Sequence, residues 1–386
     1  MDDRQPEVCP SLTLERRITI YRCQQAHPNR RSNFIHNTTD QTDAQGEGHL
    51  ADWYQRVPKV ELHFHLEGSI PLDALWELIR KYDGDPDVPD MESLKDRFRF
   101  RDFSHFLETW TWKNGFLREY DDFAFFSEAV ARSLEGQNIQ YVEAFLSTSR
   151  FLSIGLETGR LIEAVRQGLN RVSDVEVALV PDLVRDLGAE NAATVLSELS
   201  EVQSLGVVGI GIGGSEHLYP PEIFREVYST AREMGFHTTA HAGEAAGADS
   251  IWGAIRPLEV ERIGHGTRAL EDELLLEYLA ESRLPIEMCP LSNVATRVVE
   301  SIEQHPVRDY FDRGLMVTIN TDDPVMFGNS MVQEFQALES NFGFTPDEIR
   351  VLILNGIEAS FLPPKRKLAM ANSFTSDPAW SEKTQL

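Results

Sequence analysis

The chain has 386 residues, 41% of them hydrophobic and 25% charged, with a formal net charge of −26 at pH 7. Such a composition suits a globular protein with a real core, long enough for two average domains or one large α/β barrel. The charge repels nucleic-acid backbones and anionic membranes, so neither is expected as a partner, and it slows a strongly anionic substrate unless local cations compensate.

Three cysteines, Cys9, Cys23 and Cys289, form no CxxC pair and no disulfide framework. The opening Met-Asp-Asp-Arg-Gln-Pro has no secretion-signal pattern, and no apolar run approaches a membrane span, so the expected compartment is the cytoplasm. Asn37-Thr38-Thr39 is then a chance match to a glycosylation triplet.

Residues 1–50 are polar and aperiodic, which predicts a flexible N-terminal tail or an arm on a partner subunit; residues 371–386 read as a second flexible tail. Between them, over 51–370, short apolar strands alternate with amphipathic helices, the pattern of parallel βα units. Strands are expected at 60–66, 141–146, 175–181, 207–212, 236–241, 261–265, 285–289 and 315–320. Helices are expected at Arg160–Arg171, Glu190–Leu205, Pro221–Met234, Glu271–Glu281 and Met331–Ser340. Eight strands in this rhythm predict an α/β fold of the (β/α)8 (TIM) barrel type. A doubly wound sheet is the rival, needing fewer strands and a topological switch point.

About 75 residues separate the first two strands, far more than one helix requires, so a helical insertion follows strand 1. It carries Phe103, Phe106, Leu107, Trp110, Trp112, Phe116 and Phe123. Most of these suit an extra layer packed on the barrel. Phe106, Leu107 and Trp110 are the candidates for a lid over a flat ligand.

Strand 1, Lys59-Val-Glu-Leu-His-Phe-His65, places His63 and His65 on one face. His241 ends strand 5, His265 ends strand 6, and Asp322 and Asp323 follow strand 8. A barrel gathers those strand ends at one rim, where its active sites are built. One histidine alone is usually structural; four of the 11 in register are not readily explained that way. On strand 8, Thr318, Asn320 and Asp322 are expected to point inward, and a carboxylate there is costly unless paired or bound to a metal. Three imidazoles and one carboxylate suit a single Zn²⁺ held by His63, His65, His241 and Asp322, although Fe²⁺, Co²⁺ and Mn²⁺ accept the same donors. Zinc would lower the pKa of its water to roughly 7.

Glu244, three residues past His241, is placed to donate a proton if an apolar pocket raises its pKa, whereas an isolated acid there would be a helix cap. His265 can orient the attacking hydroxide, and Asp323 is free to bond a polar substrate atom. Gly209-Ile-Gly-Ile-Gly-Gly214 satisfies GxGxxG, but it lies at strand 4 and an irregular loop follows it, so no dinucleotide role is expected. Its glycines instead let a backbone N–H, best that of Gly214, approach a ligand.

Taken together, His63-Phe-His-Leu-Glu-Gly68, Gly213-Gly-Ser-Glu216, His241-Ala-Gly-Glu244, Gly264-His-Gly266, Cys289-Pro-Leu-Ser-Asn293 and Thr321-Asp-Asp-Pro324 resemble the adenosine deaminase family of the amidohydrolase superfamily, in order, from about residue 58 to 360. The resemblance implies a mononuclear zinc barrel that hydrolyses the exocyclic amine of a 6-aminopurine nucleoside, adenosine or 2′-deoxyadenosine first, to inosine and ammonia. It also implies that Glu244 protonates N1, His265 assists the hydroxide, Asp323 faces N7 and the Gly214 N–H meets N3. Glu67 stands where the family often has an acid reaching the ribose 5′-hydroxyl, which favours a nucleoside over a free base; the family also includes enzymes for adenine, N6-substituted adenines and aminodeoxyfutalosine, which Glu67 alone does not separate. The acidic balance weighs against nucleotides. The ligands differ from those of the cysteine-rich zinc deaminases of nucleic-acid bases. No lysine lies between 114 and 364, so a lysine-bridged binuclear centre is not expected.

Overall fold

The computed structural model describes residues 52–382; the expected N-terminal tail lies outside them. Eight parallel strands follow the predicted order: β1 (Lys59–His65), β2 (Ile139–Leu146), β3 (Glu176–Pro181), β4 (Gly209–Ile210), β5 (His237–Ala242), β6 (Arg262–His265), β7 (Ile286–Met288) and β8 (Val317–Ile319). They are Val-, Ile- and Ala-rich and buried along almost their whole length, as strands covered by helices must be.

Hydrogen bonding runs β1-β2-β3 in one set and β4 to β8 in another. Backbone bonds join the sets at both seams. Between β3 and β4, Leu179 N–H donates to Gly206 O (2.8 Å) and Gly211 N–H to Pro181 O (3.0 Å). Between β8 and β1, His65 N–H donates to Asp322 O (2.8 Å) and Asp322 N–H to His63 O (3.1 Å). The sheet is therefore a closed (β/α)8 barrel rather than a doubly wound sheet with open edges. Asn320 is fully buried, and its Oδ1 accepts from Leu62 N (2.8 Å) and His63 N (3.2 Å), bridging the closing seam.

Between β1 and β2 stand four helices, Leu72–Lys81, Met91–Arg97, Phe103–Asn114 and Tyr120–Gly136. Asp102 caps the third by accepting from His105 N–H (2.8 Å). The aromatic segment divides. Phe116 and Phe123 join the main core, while Phe106 and Trp110 form a separate cluster with Met326 beside the rim.

The expected C-terminal tail is not one through residue 382. Helix Pro364–Ser376 and a 3-10 turn at Pro378–Ser381 bury Ala371, Phe374, Ala379 and Trp380. Trp53 Nε1–H donates to Ala379 O (2.8 Å), and Arg350 Nε–H to Trp380 O (2.9 Å). Its few apolar residues are widely spaced, so no periodic signal marks them. No described helix is long and apolar enough to cross a membrane.

Candidate active site

His63, His65, His241 and Asp322 converge at the rim: one ligand atom from each lies within 4.8 Å of the others, and all four residues are buried. His65 Nε2 is 3.2 Å from His241 Nε2 and 3.3 Å from Asp322 Oδ1, while His63 Nε2 is 3.5 Å from the same oxygen. The outer ring nitrogens fix the tautomers. His63 Nδ1–H donates to Glu287 Oε2 (2.8 Å), and His241 Nδ1–H to Ile212 O (3.0 Å). Each Nε2 is thus the atom left to offer a cation its lone pair; without one, burial is outweighed by the Asp322 and Glu287 carboxylates, which push the His63 imidazole up to about 10, and its Nε2 is buried with no hydrogen-bond partner. Ser292 Oγ–H donates to the second Asp322 oxygen (2.7 Å). Lone pairs and a carboxylate aimed at a common centre, each braced from behind, fit a borderline divalent cation such as zinc.

Asp322 and His265 have φ of 67° and 61°, a left-handed backbone that non-glycine residues rarely adopt. Strain of this kind is retained where the surrounding fold aims a side chain. His265 Nδ1 lies 3.2 Å from Asn293 Nδ2, and Asn293 Oδ1 lies 3.2 Å from His305 Nε2. That relay places the His265 proton on Nε2, which is buried, without a hydrogen-bond partner and 3.5 Å from Glu244 Oε2. Burial pushes the imidazole down to about 3, so it is neutral at physiological pH.

Glu244 is buried, and burial first, then the Asp322 carboxylate, raises its carboxyl well above the usual range. Asp323 is raised well above the usual range by the same two causes in the same order. Both shifts favour the protonated carboxyl, the form that can donate. The Glu244 loop is held from below: Glu216 accepts from the N–H groups of Gly243 (2.6 Å), Glu244 (3.1 Å), Ala245 (2.7 Å) and Ala246 (3.1 Å). Trp110 Nε1–H donates to Asp323 Oδ1 (3.2 Å). Gly68 explains its own place in the sequence, because a Cβ there would lie 1.7 Å from Asp323 Oδ1.

His65, His241, Asp322, Glu244, His265 and Asp323 line one cavity, together with Gly214 and the insertion residues Phe106, Leu107 and Trp110. Gly214 has φ of 106°. Glu67 is not on this wall. The 3-10 turn Glu67–Ser69 buries its side chain completely, where Oε1 accepts from Ser147 N–H (2.8 Å). The expected reach to a ribose hydroxyl is thereby corrected, since the acid is used to hold the loop after β2.

Sequence reasoning overlooked Phe103, Ser147, Arg150 and Asp182 on the cavity wall. Phe103 was visible in the aromatic segment. The other three follow β2 and β3, so their position after barrel strands was the available signal. Burial, then the Glu67 charge, pushes the Asp182 carboxyl up to about 7.

Comparison with known proteins agrees with this geometry. The family model described as adenosine deaminase matches residues 58–376. An adenine deaminase of Ectopseudomonas mendocina is 33% identical over 313 residues, covering 80% of this chain and 99% of the relative. An aminodeoxyfutalosine deaminase of Streptomyces coelicolor is 33% identical over 332 residues, covering 84% of this chain and 85% of the relative. The crystal structure of an amidohydrolase of Burkholderia ambifaria with bound Zn superposes with a TM-score of 0.78 at 25% identity, covering 84% of this chain and 91% of that one. The match spans the barrel from its first strand to its last helix, and this chain belongs to the adenosine deaminase family of metal-dependent aminohydrolases.

Proposed function

We propose that the protein is a deaminase of a 6-aminopurine nucleoside, holding one zinc ion per chain and converting adenosine or 2′-deoxyadenosine to inosine and ammonia. The observation that carries this reading is the convergence of His63, His65, His241 and Asp322 on one point beside two buried carboxyls, Glu244 and Asp323, that line the same cavity.

His63, His65, His241 and Asp322 would hold the zinc, which would supply Lewis acidity for a water nucleophile. Glu244 delivers its proton to purine N1, which makes C6 electrophilic. His265, neutral and carrying its proton on Nε2, directs the attacking oxygen. Asp323, steadied by Trp110, donates to N7, and the Gly214 N–H meets N3. Phe106, Leu107 and Trp110 cover the base and exclude water. One water is consumed: its oxygen bonds to C6, one of its protons replaces the one Glu244 gave to N1 and the other goes to the exocyclic nitrogen, which leaves as ammonia as the C6–N bond breaks.

The relatives' names favour a second reading, in which the substrate is adenine or aminodeoxyfutalosine. A nucleoside rather than the free base is supported by a second cavity that shares Trp110 and Arg150 with the first and gives room for a group on N9, which adenosine and aminodeoxyfutalosine both carry. A phosphoester or amide hydrolase with two metals is disfavoured: the second candidate ligand group among the described residues shares His63 and Asp322 with the first.

Ammonia release from adenosine, 2′-deoxyadenosine, adenine and aminodeoxyfutalosine by the zinc-loaded enzyme tests the reading. Turnover of one of them, lost in Glu244→Gln with the zinc retained, is the expected result. Inertness towards every 6-aminopurine would overturn it.

A further inference from the structure

Of the segments that mark the family, Cys289-Pro-Leu-Ser-Asn293 is the one with no residue on the cavity wall. Its last four residues open the short helix Pro290–Ala295 directly after β7, and two consecutive side chains reach the rim from behind. Ser292 holds the Asp322 carboxylate. Asn293, fully buried, stands between His265 and His305. His305 follows the 3-10 turn Ile302–Gln304; it is buried, and it belongs neither to the cavity wall nor to a ligand group. Burial pushes its imidazole down to about 3, so the ring is neutral, with one N–H and one lone pair.

The direction of this hydrogen-bond chain is set at its outer end. Val307 N–H, a backbone donor with no alternative form, points at His305 Nδ1 (3.3 Å). His305 Nδ1 therefore accepts, and its proton sits on Nε2, 3.2 Å from Asn293 Oδ1. With Oδ1 accepting there, the Asn293 amide nitrogen faces His265 Nδ1 (3.2 Å), which accepts in turn. The single proton of the neutral His265 ring is left to Nε2. The reverse arrangement fails at one place. An Asn293 amide turned over needs a lone pair on His305 Nε2, and the proton displaced to Nδ1 then faces the Val307 N–H, two buried donors without an acceptor.

The consequence reaches the metal centre. His265 belongs to a second candidate ligand group, His63, His265, Cys289 and Asp322, which shares two members with the first. With Nδ1 accepting and Nε2 protonated, neither nitrogen of His265 has a lone pair to offer a cation.

We propose that His305 is a positioning residue for the deamination: through Asn293 it locks His265 in the Nε2–H form, which keeps His265 off the metal and presents an N–H to the attacking oxygen. Its effect on rate rests on the deaminase reading; its effect on the tautomer rests on the hydrogen bonds alone. His305 itself touches no reacting atom.

Ring ¹⁵N resonances of histidine-labelled, zinc-loaded protein report which nitrogen of His265 is protonated, with His265→Gln giving the assignment. The wild type is expected to carry the proton on Nε2. Asn293→Asp supplies an acceptor to Nδ1, so the proton should move there. The freed Nε2 can then bind the metal, and the visible absorption of the Co²⁺-substituted variant should change with it. In Asn293→Asp kcat should fall about 10²-fold while KM changes by about threefold at most. His305→Phe removes the terminal donor and keeps a ring, and should lower kcat about tenfold; His305→Gln, whose amide can donate to Asn293 Oδ1, should recover most of that loss. In a His265→Ala background neither Asn293→Asp nor His305→Phe should lower kcat further, whereas general damage would add. Should His305→Phe not fold, Asn293→Asp and His305→Gln carry the same comparison. A wild-type proton on Nδ1, a tautomer unmoved in Asn293→Asp, or losses that persist in full without His265 would overturn the proposal while leaving the deaminase reading intact. If no 6-aminopurine is turned over, the deaminase reading falls, and the ring spectra decide whether His305 sets the tautomer.

Discussion

The floor and the rim of the barrel both bury ionisable groups, yet they treat them differently. On the floor, Arg262 reaches Glu143 (2.5 Å), Glu287 and the Ala359 carbonyl (3.1 Å). Tyr141 Oη–H (2.7 Å) and Phe361 N–H (2.5 Å) complete one Glu143 oxygen. On the floor one nitrogen of that cluster, Arg262 Nη2, is buried without a hydrogen-bond partner, whereas on the rim His63 Nε2, His265 Nε2, Asp182 Oδ1 and the Arg150 Nε all are. An unpaired buried polar atom costs about 1–3 kcal/mol. The floor spends its charges on holding the barrel together. The rim keeps its charges free for something the chain does not supply, and Glu287 joins the two regions through His63.

That contrast can be broken from the rim first. Glu244→Gln removes the proton donor and keeps the shape, so kcat should fall about 10³- to 10⁴-fold with zinc content unchanged, read by ammonia release and metal analysis. The sign of the wild-type pH profile follows from the raised Glu244 carboxyl: activity holds while the acid keeps its proton and declines as pH rises through its elevated pKa. From the floor, Arg262→Met leaves Glu143 and Glu287 buried without their countercharge; a loss of about 3–5 kcal/mol is expected in urea unfolding. Rim variants should not show a loss of that size. Glu287→Gln tests the link between the regions: weaker orientation of His63 should cost about 10- to 100-fold in zinc affinity, measured against a competing chelator. An unchanged affinity would mean that floor and rim are independent.

The parts legible in the sequence are those with a local signal. Alternating side chains put His63 and His65 on one face, and the ends of β5, β6 and β8 carry the other polar groups of the rim, so the four ligands could be chosen before any coordinates. Glu216, Glu287 and Asn293 were not legible in their roles, because each acts on a backbone or ring that the fold delivers from another strand. Glu67 misled for the complementary reason. Its neighbours in sequence belong to the site, but a 3-10 turn carries its side chain beneath Ser147. Arg150 and Asp182 carry no motif; only closure of the barrel shows that they face the same cavity as His241.

Asp182 offers the smallest and most discriminating comparison, because it is a rim carboxylate with one oxygen, Oδ1, left without a partner. Its carboxyl is raised from 3.8 to about 7, by burial first and then by the Glu67 charge. A raised acid means that the folded state binds the proton more tightly than the unfolded chain, so stability falls as pH rises from about 4 to about 7 and is then level. Asp182→Asn removes that ionisation and keeps the volume. In the zinc-free protein at pH 8 the variant should therefore be the more stable, by about 1–2 kcal/mol once water in the cavity has relaxed part of the penalty, and the gap should close towards pH 4. With zinc bound, the nearby cation stabilises the ionised carboxyl, and the difference between variant and wild type should shrink. A floor carboxylate such as Glu143, already paired with Arg262, should respond in the opposite direction, its replacement by Gln destabilising the protein at pH 8. Parallel pH series of denaturant unfolding for the two variants would measure both signs, and matching signs would erase the distinction between floor and rim.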